Sequence, residues 1–394
     1  MTIECFQPPQ HVRFVATTLA LHGGAPHYVG GAVRDAVIGR EPHDYDIASS
    51  LTPDAVQGIF SNVILTGVRH GTVTVIVNDA APVEVTTFRA DGLYADGRHP
   101  DAVSFVSSIE HDLRRRDFTM NAIAVHATTG AIVDPHSGVA DALAGVIRTV
   151  GDPRQRFAED GLRVMRAVRF ASQLGFAIDT MTLAAIEPHL LAGVSAERMR
   201  DELLKTLRGG APGAAIEVLH STGVLSRVLG QRLADASSGV ARQLDGAPLE
   251  LRLAIAVCSA DPTYVNARSL TRDLKLDARD ARLCASAAEA LRAIANDRTE
   301  LGVRRTLSAY GRDATLAAAY ATGDAALVAL AGHEQVITAR TLPFNGDDIM
   351  TELGLSGAAV GTVIRAGLAA AIVDPRLLHD RRELLGIASR HSAA

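Results

Sequence analysis

Tyr28-Val-Gly-Gly-Ala-Val-Arg-Asp-Ala-Val-Ile-Gly-Arg-Glu-Pro-His-Asp-Tyr-Asp-Ile47 is the stretch whose reading decides the fold. Tyr28 and Val29 read as the end of a short strand. Gly30 and Gly31 carry no Cβ, so the backbone can come close to a ligand there. Residues 32–38 read as a short helix starting at the glycines, and a helix N-terminus attracts anions through its free N–H groups and its dipole. After a turn over residues 39–43, a strand is expected at 44–49. In it Asp44 and Asp46 lie two positions apart and so leave the backbone on one face. Two carboxylates aimed together beside an anion-binding turn can hold hard divalent cations next to a phosphate chain. A bare Asp-x-Asp is more often a cap or turn, but the Gly-Gly-x-x-Arg-Asp helix start just upstream shifts the reading to metal ligation.

The chain around it has 394 residues, room for two or three domains. With 47% apolar and 21% charged residues it has the composition of a soluble globular protein. No apolar run reaches the roughly 18 residues of a spanning helix, so no membrane is expected. The first residues lack the basic-then-apolar pattern of a signal peptide. Cys5, Cys258 and Cys284 are odd in number and widely spaced. They suit buried thiols in a reducing cytoplasm better than a disulfide framework or a zinc site. The net charge of −5 argues weakly against a nucleic-acid partner, but distribution qualifies that. Lys205 and Lys275 are the only lysines, and arginines crowd residues 114–116, 148–169 and 198–208. Arginine forks onto phosphates and base edges.

The first 150 or so residues are mixed α/β. Helices are expected at 9–22 and at 53–60, the latter capped by Thr52. Strands are expected at 62–66, 72–77 and 83–88, each rich in β-branched residues, and as a pair at 122–126 and 131–133. Residues 89–100, with Gly92, Gly97 and Pro100, read as a loop. From Pro153 strand signals stop and helical periodicity runs to the end, with breaks at 209–213, 261–264 and 342–346. Residues 230–248 are the most loop-like part of that helical half. A mixed domain followed by an all-helical portion is the expected architecture.

Two further constellations carry chemistry. In Arg114-Arg-Arg-Asp-Phe-Thr-Met-Asn-Ala122, Asp117, Thr119 and Asn121 alternate as side chains aimed one way from extended chain would. In Glu159-Asp-Gly-Leu-Arg-Val-Met-Arg-Ala-Val-Arg-Phe170, read as helix, Asp160, Arg163, Arg166 and Arg169 recur every third residue. Three arginines sharing one aspartate leave positive charge without a local partner, which suggests a phosphate or base edge nearby. The dipeptides His111-Asp112 and His379-Asp380 lack the surrounding pattern of a metal phosphohydrolase, and no P-loop or Gly-x-Gly-x-x-Gly occurs.

Together these motifs resemble the class II tRNA nucleotidyltransferases, the CCA-adding enzymes and their poly(A) polymerase relatives. Gly30-Gly31-x-x-Arg34-Asp35 with Asp44-Tyr-Asp46 resembles the family's metal motif. Arg115-Arg116-Asp117-Phe-Thr-Met-Asn121-Ala and Glu159-Asp160-x-x-Arg163 match its next two signatures. Ser195-Ala-Glu197-Arg198 through Glu202, and Leu342-Pro-Phe-Asn-Gly346 with Leu353-Gly354, are similar to later elements, although Ser356-Gly357-Ala358 stands where the family usually has Pro-Gly.

The resemblance implies an α/β catalytic head of the DNA polymerase beta-like nucleotidyltransferase type at 1–151. It is followed by an all-α neck at 152–214 and a helical, tRNA-binding body and tail at 215–394. It implies that Asp44 and Asp46 are catalytic and bind Mg²⁺, and that Gly31, Arg34 and Arg116 contact the nucleotide. Asp160, Arg163, Arg166 and Arg169 would complete the nucleotide pocket. Hydrogen bonding then limits the base: a carboxylate at Asp160 only accepts and a guanidinium at Arg163 only donates. That pair suits the amine and neighbouring ring nitrogen of cytosine or adenine, not uracil or guanine. Glu84 remains open between a third carboxylate for the metals and an orienting role for the 89–100 loop. The expected activity is template-independent addition of C, C and A to tRNA from CTP and ATP. An A-adding-only enzyme, a poly(A) polymerase and a non-catalytic RNA-binding protein are the alternatives.

Overall fold

The computed structural model describes residues 6–67, 71–78, 80–91, 103–229, 240–258, 269 and 272–390. They form two compact units, Met1–Ala211 with Ser221–Val224, and Pro212–His220 with Leu225–Ala394.

The first unit is built on a seven-stranded mixed sheet in the order β3-β4-β5-β2-β1-β8-β9. Its strands are β1 (His27–Val29), β2 (Asp46–Ser49), β3 (Val63–Gly67), β4 (Thr72–Val75), β5 (Val83–Thr87), β8 (Ala124–His126) and β9 (Ile132–Val133). Only β2 and β5 run parallel. Helix α1 (Gln10–Leu21) buries Val12, Val15, Ala16 and Leu19, one stripe at helical spacing, in a core shared with Tyr28, Ile47, Val73 and Val85. Helix α3 (Pro53–Ile59) starts as expected, with Thr52 Oγ1 accepting from the Ala55 N–H.

The strand carrying the paired aspartates is shorter than expected. It begins at Asp46, and Asp44 lies two residues ahead of it. The reason is that β1 is only three residues long: Val29 pairs with Asp46, and at Gly30 the chain turns into helix α2 (Gly31–Val37). On the other side Asp46 pairs with Glu84 near the start of β5, so the ladder has little beyond Asp46 to hold Asp44.

Two other expectations are corrected. The 89–100 segment opens as a strand, β6 (Arg89–Asp91), paired antiparallel with β7 (Val103–Phe105); residues 92–100 lie outside the described residues. The Asp117–Asn121 stretch, which follows helix α4 (Ile109–Arg114), is not extended but closes a 3-10 turn at Thr119–Asn121. Thr119 Oγ1 therefore points to Asp141, while Asn121 Nδ2 reaches back to Asp117 Oδ1. That turn packs on helix α5 (Gly138–Ala144) where Gly138 lacks a side chain; a Cβ there would stand 2.0 Å from the Thr119 carbonyl oxygen.

The helical region also departs from its reading. Strand β10 (Val146–Ile147) pairs in parallel with β11 (Ala177–Ile178), so strands do not stop at Pro153. The 159–170 stretch is not one helix. Helix α6 (Pro153–Glu159) ends, Asp160 adopts an extended backbone (φ −146°, ψ 105°), and helix α7 (Leu162–Leu174) begins after it. The break is possible because Gly161 sits hard against residue 190: a Cβ on it would fall 1.9 Å from the Leu190 carbonyl oxygen. After helix α8 (Thr180–Ala184), helix α9 (Ala196–Leu207) packs along α7, its first turn capped by Ser195.

The second unit is helical in its described residues. One core gathers Ile294, Val303, Leu307 and Leu327; another gathers Phe344, Ile349, Val363 and Leu384. Val240–Asp245 is a helix where a loop was expected, residues 230–239 and the 261–264 break lie outside the described residues, and so does Cys5. Cys258 and Cys284 are buried, and burial raises the Cys284 pKa above its ordinary value. No single helix among the described residues is long and apolar enough to cross a membrane.

Candidate active site

One cavity of about 700 Å³ in the first unit collects the nine residues assigned above to the metal and the nucleotide. Gly31, Arg34, Asp44, Asp46 and Arg116 line it from the sheet side, and Asp160, Arg163, Arg166 and Arg169 from α7 and the break before it. Eight arginines and five carboxylates face it in all, so guanidinium donors predominate on its wall.

Gly30 makes the turn that opens the cavity. Its φ of 74° and ψ of −136° lie in a region that essentially only glycine occupies, and Asp46 Oδ2 lies 3.6 Å from where its Cβ would stand. Asp46 is two-sidedly hemmed. Burial first, and then the Glu84 carboxylate, push its carboxyl up to about 6, against the pull of Arg116 and with Asp44 adding to the push. Glu84, level with Asp46 across the parallel β2–β5 pair, was left open by the sequence because the pairing joins residues far apart in the chain.

The donor set fits a hard cation: Asp44 and Asp46 supply carboxylate oxygens only, and Asp46, crowded by the Glu84 carboxylate, is raised toward protonation where no cation compensates. Among the described residues no group of three His, Cys, Asp or Glu side chains is placed to hold a metal ion by itself. A cation there would draw its other ligands from phosphate and water, as Mg²⁺ commonly does.

Charge partners bind the two sides of the cavity together. Arg34 donates through Nη1 to Asn121 Oδ1 at 2.8 Å, and through Nε and Nη2 to Asp35. Asn121 in turn donates to Asp117, and the other Asp117 oxygen takes two bonds from Arg166, at 2.8 and 2.5 Å. Burial opposes charge on Asp117, but Arg166, Asn121 and Arg163 outweigh it and hold the carboxyl at about 2. A chain of hydrogen bonds thus runs from α2 to α7. Asp112 holds Arg115 and Arg116 through separate oxygens. Burial is the largest influence on Asp112 and opposes its charge, yet the two guanidiniums keep its pKa below the ordinary value. The Arg116 Nε is buried with no hydrogen-bond partner.

The arginines of α7 do not share Asp160. Arg163 pairs with Glu159 and also donates to the Arg156 and Arg115 carbonyls, Arg166 pairs with Asp117, and Arg169 pairs with Glu202 at 2.6 Å. The expected surplus was mistaken because two of these partners come from 33 and 49 residues away. Asp160 instead accepts from the Leu162 N–H and, at 3.1 Å, from Arg198 Nη2. Arg198, Phe170, Asp112 and Glu202 were legible only as parts of motifs, with no assigned task.

Residues 27–148 match the Poly A polymerase head domain, and residues 175–234 the family described as a probable RNA and SrmB-binding site of polymerase A. The crystal structure of the Bacillus stearothermophilus CCA-adding enzyme, solved in complex with CTP, is 31% identical, with a TM-score of 0.72 over 96% of this chain and 98% of that one. The chain belongs to the CCA-adding enzyme family. Curated CCA-adding enzymes agree: that of Levilactobacillus brevis is 47% identical over 214 residues, covering 54% of this chain and 53% of its own. That of Geobacillus thermodenitrificans is 49% identical over 221 residues, covering 55% and 54%. The matched stretch spans about half the length of these curated relatives. The fold extends further: the Thermotoga maritima CCA-adding enzyme complexed with tRNA, 19% identical, superposes with a TM-score of 0.73 over 98% of this chain and 96% of that one. The α/β head and helical remainder are those of the family.

Proposed function

We propose that this chain adds C, C and A in turn to the 3′ end of tRNA, from CTP and ATP and without a nucleic-acid template, releasing pyrophosphate. The observation that carries the reading is the single cavity in which Asp44 and Asp46 face the Gly30–Gly31 turn while Asp160 and the α7 arginines face the same space. The relatives' names, CCA-adding enzymes, support full CCA addition over the A-adding and poly(A) alternatives. Intact Asp44 and Asp46 speak against a non-catalytic scaffold.

Asp44 and Asp46 would hold Mg²⁺, which when bound supplies activation of the RNA 3′-hydroxyl and neutralisation of the leaving pyrophosphate. The remaining work belongs to the chain. Gly31 opens the backbone for close approach of the triphosphate, and Arg34 and Arg116 offset its charge. Arg116 Nε, buried without a partner, is a donor held ready for it. Asp160 and Arg163 meet the base edge, with Arg166 and Arg169 completing the pocket beside them. Attack on the α-phosphorus is in line, so positioning contributes most of what the protein adds. Glu84 acts on Asp46 in this reading, level with it across the parallel strand pair and raising its carboxyl. Boundaries at 151 and 214 between head, neck and body, tRNA binding by the body and tail, and a cytoplasmic setting belong to the same proposal.

Incubation of a tRNA transcript lacking CCA, or an unrelated RNA, with all four labelled nucleotides tests it. Incorporation of C and A alone, on tRNA alone, is expected; long A tails on unrelated RNA would overturn it.

A further inference from the structure

Phe170 lines the cavity at 6% exposure, and three guanidinium groups surround its ring. The Arg169 Cζ lies 4.0 Å from the ring centroid, that of Arg34 5.3 Å, and that of Arg166 5.4 Å. We propose that Phe170 is a positioning residue for the nucleotide: its ring gathers Arg34, Arg166 and Arg169 and sets the spacing at which they meet the ligand. The inference rests on the reading of these arginines as a nucleotide pocket.

The three arginines come from two elements, Arg34 from α2 and the others from α7. Like charges repel, and each guanidinium is already tied to partners of its own: Arg34 to Asn121 and Asp35, Arg166 to Asp117, Arg169 to Glu202 and Gln173. Those bonds fix the three groups separately. The ring is the contact all three share. Its negative face attracts cations within about 6 Å, an attraction an aliphatic side chain of similar bulk does not offer. The ring itself is held by Phe118, fully buried, which meets it edge-on at 5.8 Å and 86°. Phe170 lies four residues beyond Arg166, on the same helix face.

The test compares Phe170→Leu, Phe170→Met and Phe170→Tyr in the full chain, with KM and kcat for CTP and ATP and a thermal melt for each. The aliphatic variants are expected to raise KM for both nucleotides about tenfold, with kcat nearly unchanged and melting close to wild type, and Phe170→Tyr is expected to restore KM. Wild-type KM in Phe170→Leu or Phe170→Met would overturn the inference, as would equal impairment in Phe170→Tyr. Failure of both aliphatic variants to fold would also overturn it, since the ring would then be core packing. A wild-type chain that adds no nucleotide would instead overturn the functional reading beneath it.

Discussion

Arg198 holds Asp160: its Nη2 donates to the carboxylate at 3.1 Å, while its Nη1 is buried with no hydrogen-bond partner. A residue of α9 thereby sets the orientation of the carboxylate proposed to read the base. Asp160→Ala should blur discrimination among the four nucleotides by roughly 5- to 100-fold, the range expected when a buried polar group loses its partner. Arg198→Ala should blur it less, because Asp160 keeps the Leu162 N–H. A four-way nucleotide competition assay reads both, and unchanged selectivity in Asp160→Ala would remove that residue from base choice.

Asp46→Asn should abolish nucleotide addition by about a thousandfold or more while leaving the chain folded, because one of two carboxylate donors is lost but the crowding with Glu84 is relieved. Millimolar Mg²⁺ should raise the melting temperature of the wild type and not of the variant, since a ligand stabilises only the state that binds it. Equal shifts in both would contradict metal binding at this carboxylate.

The Asp117–Arg166 pair gives a stability signature in acid. Asp117 has a folded pKa of about 2, below its unfolded value of 3.8. The folded state therefore favours the charged form, so the contribution is full above pH 4 and is lost as pH falls toward 2. A shift of that size corresponds to about 2 kcal/mol. Urea unfolding should show the gap between wild type and Asp117→Asn narrowing from pH 6 to pH 3; a gap independent of pH would refute the pairing.

Gly138→Ala should destabilise the first unit by about 1–3 kcal/mol or more, because its Cβ would meet the Thr119 carbonyl oxygen at 2.0 Å, and backbone cannot swing aside as a side chain can. The expected readout is a lower urea midpoint with an unchanged slope.

These sites mark where sequence reasoning reached and where it stopped. The 28–47 stretch was legible because Gly-Gly and Asp-x-Asp are local, and each has a direct backbone or chemical meaning. All nine proposed site residues then fell on one cavity. The Asp160 break was not legible, since residues 159–170 keep helical spacing throughout and only the approach of Gly161 to Leu190 explains the interruption. The partners of Arg166 and Arg169 were hidden for the same reason. Asp117 and Glu202 are brought in by tertiary packing, and a window that counts local charges sees an excess where the fold has pairs. The facing of Asp46 and Glu84 depended on a parallel strand register that no short motif encodes.

The central claim is that one cavity performs three additions in order. The most direct measurement supplies tRNA transcripts ending at the discriminator base, at C and at CC, each with CTP or ATP alone. The account predicts that CTP extends the first two and ATP extends only the third, by a single residue. Failure to add C to the transcript ending at the discriminator base, with A still added to the CC end, would contradict it and leave an A-adding enzyme.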